Sequence, residues 1–328
     1  MLTPRIVVTR RVPQPALDLL GAAADVWVSP HDRPLSPREL RAAVVGADAV
    51  VTLLHDRVDE ACLEAAGPRL RCVANVAVGY DNIDVRAATR RGVVVTNTPG
   101  VLTDATADLT MGLILAVTRR LAEGERLLRA GEAWSWHMFF MLGTSLRDKT
   151  LGVVGLGDIG QATAQRARSF GMRVAYTGRQ RAAPEVEARL GGAVHLSLDE
   201  LLETADVVSL HCPLNDTTRH LIDSDRLRTM RSDAYLVNTA RGPIINEAAL
   251  VDALRERDIA GAALDVFEHE PQVHSALLGF ENVVLAPHLG SATIETRTAM
   301  AVLAARNALA VAMGSPAETP INDLAVPG

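Results

Sequence analysis

The run "VVGLGDIGQATAQRA" constrains the fold more than any other stretch of this chain. β-Branched residues lead into Gly155, Gly157 and Gly160 at G-x-G-x-x-G spacing, and a helix-like segment follows at once. In that setting Gly155 permits a tight turn, Gly157 lets the main chain approach a pyrophosphate, and Gly160 lets helix and strand pack closely. The amides of Asp158 and Ile159, at the start of the helix, would face the diphosphate. A purely structural glycine turn can carry the same letters, but the strand-to-helix context favours dinucleotide binding.

The remaining sequence supplies the sheets that such a loop needs. Strand-like runs alternate with Ala/Leu/Arg-rich helical segments, first as "RIVVT", "ADAVVTLL", "RCVANVAV" and "GVVVTNT". From "TLGVVGLGDIG" onward they continue as "RVAYTG", "ADVVSLH", "AYLVNTA", "AGAALDVF" and "NVVLAPH". This rhythm predicts α/β architecture with doubly wound parallel sheets, and 328 residues suit two domains. "TNTPGV" and "APHLGS" contain Pro and Gly and read as crossings between domains. A first domain is therefore expected at 1–98 and 289–328, with a nucleotide domain at 99–288 inserted into it. Asp104 to Leu128 reads as one long helix, apolar enough to be buried against more than one neighbour, another subunit included. The closing "SPAETPINDLAVPG" reads as a tail with a poorly ordered end.

Composition narrows the function. A net charge of −6 without long charged runs leaves no footprint for nucleic acid or a membrane surface, so small-molecule work is expected. Cys62, Cys72 and Cys212 are odd in number and lack metal-ligand spacing, which fits a reducing compartment and neither a disulfide framework nor a zinc site. No signal-peptide core and no bilayer-length apolar run stands out, so a soluble, cytoplasmic protein is expected.

Roughly 17 to 20 residues past the glycine loop, a dinucleotide fold usually presents Asp or Glu to the adenosine ribose. Here "VAYTGRQR" has Thr177 at that place, with Arg179 and Arg181 just beyond. A missing carboxylate removes repulsion of a 2′-phosphate, and arginines offer forked donors to it. NADP(H) is the expected cofactor, with NAD(H) accepted if these arginines are merely solvated.

Three later strand-like runs end in polar residues that folding does not require: Arg241 in "LVNTARGPIIN", Glu270 in "ALDVFEHEP" and His288 in "VVLAPHLGSAT". In a doubly wound sheet such loops share the carboxyl edge, where ligands bind. Arginine can grip a carboxylate through two parallel bonds and polarise a carbonyl. Histidine can exchange a proton near neutral pH, and glutamate on its second nitrogen would fix the ring and favour the cation. Together they suit reversible reduction of a 2-keto acid; singly, each could be structural.

At these residues the chain resembles the D-isomer-specific 2-hydroxyacid dehydrogenases, nearest their glyoxylate/hydroxypyruvate reductase branch. The match runs from "RIVVTRRVP" to "PIN" and includes "NVAVGYDNIDV", "GVVVTNTPGVLTDATADL", "GLGDIG", "YTGRQ", "HCPLNDTTRHLI", "NTARGPIIN", "LDVFEHEP" and "PHLGSAT". The resemblance implies a Rossmann-type domain inserted into a flavodoxin-like substrate domain, with Arg241, Glu270 and His288 as the catalytic set. It implies that amides around Val78 and Gly79 hold the substrate carboxylate. It also implies Thr106, Cys212, Pro213, Thr217, Thr239, Ala240, Asp265 and Gly290 as neighbours of the cofactor, and a homodimer formed around Leu109 to Leu121. Leu53, Leu54, Trp134, Trp136, Phe139 and Met141 are candidates for lining the substrate pocket, or else core residues.

The chain also departs from relatives. Asp108 and Leu109 replace a common Glu-His, and Asp158 replaces a common Arg, removing one positive charge near the diphosphate. Glu270 stands where formate dehydrogenases have Gln, and Val78 where phosphite dehydrogenases have Lys. The expected activity is reduction of glyoxylate or hydroxypyruvate by NADPH. The alternatives are an NAD-dependent enzyme for a bulkier 2-hydroxy acid or 3-phosphoglycerate, and a non-catalytic protein that senses dinucleotide.

Overall fold

The computed structural model describes residues 3–324. They fall into two compact units, Met1–Leu102 with Ala292–Gly328, and Thr103–Ser291.

In the first unit β1 (Arg5–Val8), α1 (Gln14–Gly21), β2 (Asp25–Val28), α2 (Pro37–Ala43), β3 (Ala49–Thr52), α3 (Glu60–Ala66), β4 (Cys72–Asn75), α4 (Val85–Arg90) and β5 (Val94–Thr96) follow in order. All strands pair in parallel as β2-β1-β3-β4-β5, the flavodoxin-like order. Every residue of β3 and β4 is buried, as a parallel strand covered on both faces requires. Local chemistry starts the helices: Ser36 and Glu39 form a capping box on α2, while Asp59 and Asp84 cap α3 and α4.

The second unit begins with α5 (Thr103–Thr118) and α6 (Leu121–Arg129). It continues through β6 (Thr150–Val154), α7 (Asp158–Ser169), β7 (Arg173–Thr177), α8 (Pro184–Arg189), β8 (Val194–His195), α9 (Leu198–Thr204) and β9 (Val207–Leu210). It ends with α10 (Ser224–Thr229), β10 (Tyr235–Asn238), α11 (Glu247–Glu256), β11 (Gly261–Leu264) and β12 (Val283–Leu285). The seven strands pair in parallel as β12-β11-β10-β9-β6-β7-β8. This is the Rossmann order, and its direction reverses between β6 and β9. The chain then returns to the first unit through α12 (Ile294–Ala312), whose alanine-rich face packs on β3, β4 and α1.

One element differs from expectation. The single helix over Asp104–Leu128 is broken, because Arg120 sits in the left-handed region at φ 54°. The Thr118 carbonyl, which a continuing helix would use, instead accepts the Thr144 N–H at 2.8 Å, and the Arg120 guanidinium grips Glu123 in the first turn of α6. The apolar side chains of α5 are spent within their own unit, where Met111, Leu113, Ile114 and Val117 are buried against the sheet and α7. Within the expected contact region, Leu109 and Leu115 stay half-buried and Leu121 is exposed.

The closing tail is held at Ile321 and Asn322. The Ile321 N–H donates to Val95 O (2.8 Å), and the Asn322 side chain accepts from Val95 N (2.8 Å) and donates to Val93 O (3.0 Å), tying the segment to β5. Residues 325–328 of that tail lie outside the described residues. Among the described residues no helix is long and apolar enough to cross a membrane.

Candidate active site

The glycine loop joins β6 to α7 beside the point where strand order reverses. Gly155 has φ +96°, and a Cβ there would lie 2.8 Å from Cys212 N. A Cβ on Gly160 would lie 2.3 Å from Gly155 O and 3.1 Å from Val153 Cγ1, so α7 can seat against β6 only through hydrogen. Gly157 faces open space, and α7 starts on it without a side-chain cap. The first amides of α7, those of Asp158 and Ile159 included, therefore have no side-chain acceptor at the cap, and this fits the diphosphate of a nicotinamide dinucleotide.

At the end of β7, Thr177 is half-buried and Gly178, Arg179 and Gln180 are exposed. Arg181 is not available in the way the sequence suggests. Its Nε and Nη2 donate to Glu187 Oε1 and Oε2 of α8 at 2.8 and 2.9 Å, and the Tyr176 hydroxyl donates to the same Oε1 at 2.7 Å. Arg181 and then Tyr176 hold the Glu187 carboxyl down to about 2, so it stays ionised and consumes the Arg181 charge. A carboxylate does approach this strand end, from a helix and already neutralised. Arg179 is the other exposed cation of this loop.

The other expected cofactor neighbours converge in part. Thr106 Oγ1 donates to Gly290 O (3.2 Å), Thr110 Oγ1 shares a hydrogen bond with Thr239 Oγ1 (2.9 Å), and the Asp265 carboxylate accepts the Leu289 and Gly290 N–H groups at 2.6 and 2.8 Å. Burial raises the Asp265 carboxyl above the usual range despite those two bonds. Ala240 N–H donates to Asn238 Oδ1 (3.0 Å). Cys212 packs on Gly155, and burial pushes its thiol up to about 11. Pro213 and Thr217 are exposed, and the Thr217 N–H and hydroxyl both turn to Asn215 Oδ1 (2.9 and 2.7 Å).

The carboxyl ends of the adjacent strands β10, β11 and β12 carry the remaining polar set. Asn238 Nδ2 donates to Arg241 O (2.9 Å), shaping the turn that presents Arg241, whose Nη1 reaches Ala240 O (2.9 Å). Glu270 accepts the Phe267 N–H on Oε1 (3.1 Å), and its Oε2 meets His288 Nδ1 at 2.8 Å. His288 takes φ +54°, and its own N–H donates to Asp265 O (2.8 Å). An ionised carboxylate only accepts, so Nδ1 carries hydrogen and the imidazole presents Nε2 outward from the pair. The Glu270 and His288 side chains are 18% and 23% exposed, shielded yet reachable. This arrangement fixes a proton carrier by a carboxylate, and Arg241 follows a strand at the same sheet edge. A crevice of about 560 Å³ lined by Tyr235, Arg257, Phe280 and Asn282 opens at the amino ends of the same strands, the wrong edge for this chemistry.

In the first unit, Asn97 Nδ2 donates to Val78 O and Asn75 Nδ2 to Gly79 O, both at 2.9 Å. A trans peptide points its N–H opposite to its C=O, so the two bonds turn the Gly79 and Tyr80 N–H groups to the other side of the loop. Leu54 is half-buried in the loop after β3, where Asn82 Nδ2 holds Leu53 O at 3.2 Å.

Residues 111–290 match the family model described as "D-isomer specific 2-hydroxyacid dehydrogenase, NAD binding domain". The chain is 51% identical over 319 residues to a glyoxylate reductase of Aeropyrum pernix, covering 96% of this chain and 94% of that one. The chain belongs to the D-isomer-specific 2-hydroxyacid dehydrogenases. It also resembles the NADPH-dependent glyoxylate/hydroxypyruvate reductase of Sinorhizobium meliloti solved with NADP and malonate (TM-score 0.85, 34% identity, 98% of both chains covered). The holo D-mandelate dehydrogenase of Rhodotorula graminis has a TM-score of 0.90 at 28% identity, with both chains fully covered. This dehydrogenase is accordingly an NAD(P)-dependent oxidoreductase acting on a CH–OH group.

Sequence reasoning missed several residues that shape the dehydrogenase's site. Asn75, Asn97 and Asn238 act by gripping main-chain carbonyls, and an Asn at a strand end is the one trace they leave. Conversely, Trp134, Trp136 and Phe139 do not enter the core: they are 56%, 75% and 80% exposed. Asp108, at the position of a common Glu, pairs with Arg166 of α7 (2.6 Å).

Proposed function

We propose that this dehydrogenase reduces a small 2-keto acid, glyoxylate or hydroxypyruvate, to the D-2-hydroxy acid with NADPH as the preferred reductant. When bound, the nicotinamide supplies the hydride to C2. Arg241 offers a bidentate grip to the substrate and polarises its carbonyl. His288 delivers a proton to the developing alkoxide, and Glu270 holds the ring and offsets its charge. The Val78–Gly79 main chain binds the carboxylate through its amides. The 2.8 Å contact between His288 Nδ1 and Glu270 Oε2 carries this reading, because it fixes the ring through one nitrogen and assigns proton exchange to the other.

The small substrate is supported by the Aeropyrum pernix and Sinorhizobium meliloti relatives, and NADPH by the exposed Arg179 with Glu187 already neutralised. Arg181 acts as a brace for that loop. The exposed aromatic segment after α6 supports a homodimer, and the three free cysteines suit a reducing cytoplasm.

Initial rates of NADPH and NADH oxidation with glyoxylate, hydroxypyruvate, pyruvate, phenylpyruvate and 3-phosphohydroxypyruvate test the proposal. Fast NADPH-dependent turnover of the first two is expected, with His288→Ala lowering kcat by about 10²- to 10⁴-fold. Near-wild-type turnover by His288→Ala would remove the proton-donor assignment, and preference for NADH with a larger acid would overturn the substrate and cofactor choice.

A further inference from the structure

A second set of ionisable groups lies behind the loop that carries Glu270. Glu247 opens α11 and Glu268 stands two residues before Glu270. Their main chains and side chains are bonded reciprocally: Glu247 N–H donates to Glu268 Oε2 (3.1 Å), and Glu268 N–H donates to Glu247 Oε2 (2.9 Å). Glu247 Oε1 also accepts the His274 N–H (3.0 Å), so both sides of the Glu270 turn are fastened to α11. The remaining oxygen of Glu268, Oε1, meets His220 Nε2 at 2.5 Å.

His220 belongs to a different loop, and it is tied to the segment after Arg241. Its N–H donates to Pro243 O (2.8 Å), the Ile222 N–H to Ile244 O (3.0 Å), and the Asn246 N–H to Ile222 O (3.0 Å). Gly242 closes the frame, since a Cβ there would lie 1.9 Å from both Phe267 C and Phe267 O. The Arg241 turn and the Glu270 turn therefore touch through backbone, and His220 with Glu268 bridges them through side chains. Burial pushes the Glu268 carboxyl up, but the bonds from His220 and the Glu247 N–H outweigh it and keep the group below the ordinary carboxylate range, ionised as an acceptor.

We propose that His220 and Glu268, backed by Glu247, are positioning residues: a strut that sets the Arg241 turn against the Glu270–His288 pair. This rests on the catalytic reading above. The strut touches neither reacting atoms nor the glycine loop at β6, so its loss should act on the chemical step and not on dinucleotide binding. A displacement of about 1 Å among reacting groups costs on the order of 100-fold in rate.

The test uses full-length wild type, His220→Ala, His220→Gln, Glu268→Gln and the His220→Ala/Glu268→Gln double variant. Expected for His220→Ala is a ten- to hundredfold lower kcat, an NADPH KM within about twofold of wild type, and recovery of most of the rate in His220→Gln, whose amide can still donate. Glu268→Gln, nearly isosteric, guards against misfolding and should also lose rate, and the double variant should lose no more than the worse single one. A folded His220→Ala with wild-type kcat overturns the strut, as does a loss of kcat that His220→Gln does not recover. A second readout is independent of turnover: the downfield proton resonance of the His288–Glu270 bond, assigned by its absence in His288→Ala. It should broaden or shift in His220→Ala and return in His220→Gln; an unchanged signal overturns the strut even if the wild type reduces none of the keto acids. Loss of activity in His288→Ala with no effect in His220→Ala would sink the strut alone and leave the catalytic reading standing.

Discussion

Arg179 and Arg181 stand two positions apart after the same strand, yet the fold assigns them different work. Arg181 is locked to Glu187, which also accepts from the Tyr176 hydroxyl, whereas Arg179 projects from an exposed loop. A charge-assisted bond to phosphate contributes roughly 1.5–3 kcal/mol, so Arg179→Ala should raise the NADPH KM by about tenfold or more and leave the NADH KM nearly unchanged. Steady-state titration of both reductants decides it; equal changes in the two would return Arg179 to the solvent. The ion pair of Arg181 is not legible in the sequence, for a physical reason. Glu187 lies on α8, and its approach to the β7 end depends on the buried Tyr176 hydroxyl, a tertiary fact with no local signature. The placement of Arg241, Glu270 and His288 after strand ends is legible for the opposite reason. Each follows a strand of a parallel sheet, and the carboxyl edge gathers such loops whatever the side-chain packing.

Strands inside the sheets are legible from their unbroken apolar runs, while edges are not. β2 is half-exposed along its length and β8 has two residues, so neither carries a strong pattern. The α5–α6 break is hidden because apolar residues continue through it, and what ends the first helix is a bond from Thr144. The innermost strands also carry a titration. His211 follows β9, shares a hydrogen bond with Ser209 Oγ (2.9 Å) and packs behind Gly155. The residue retains some surface, but its ring lies deep enough for burial to push its pKa down to about 4. In the unfolded chain the ring titrates near its usual value of about 6.5. Between those values the unfolded chain binds more protons, so stability should fall as pH drops from about 6.5 toward 4, by on the order of 3 kcal/mol at most. Burial raises the carboxyls of Asp56 and Asp265, which act in the opposite direction, so the comparison must be with a variant. Thermal melts of His211→Gln should show a shallower acid slope than wild type. Parallel slopes would mean that the ring is hydrated.

For the molecule as a whole, the segment after α6 is the feature that a lone chain accounts for least. Trp134, Trp136, Met138, Phe139 and Leu142 are all more than half exposed, and α6 adds Leu121 and Leu128. An aromatic side chain buries about 150–250 Å² when covered, so the three aromatics alone match the largest patch a typical monomer shows. In a twofold assembly the same patch is used twice, and two such segments approach the roughly 1,600 Å² of a standard interface. The apolar side chains of α5, by contrast, are already spent on their own sheet. The dimer contact should therefore centre on residues 134–142. Sedimentation at micromolar concentration is expected to give twice the chain mass of 35.0 kDa, with a melting temperature that rises with protein concentration, as association requires. Replacing Trp134, Trp136 and Phe139 together by serine should yield a monomer with unchanged far-ultraviolet circular dichroism, because none of the three contributes to a core. A wild-type monomer would leave the aromatic segment unexplained by self-association, and a variant that remained dimeric would move the contact back toward α6.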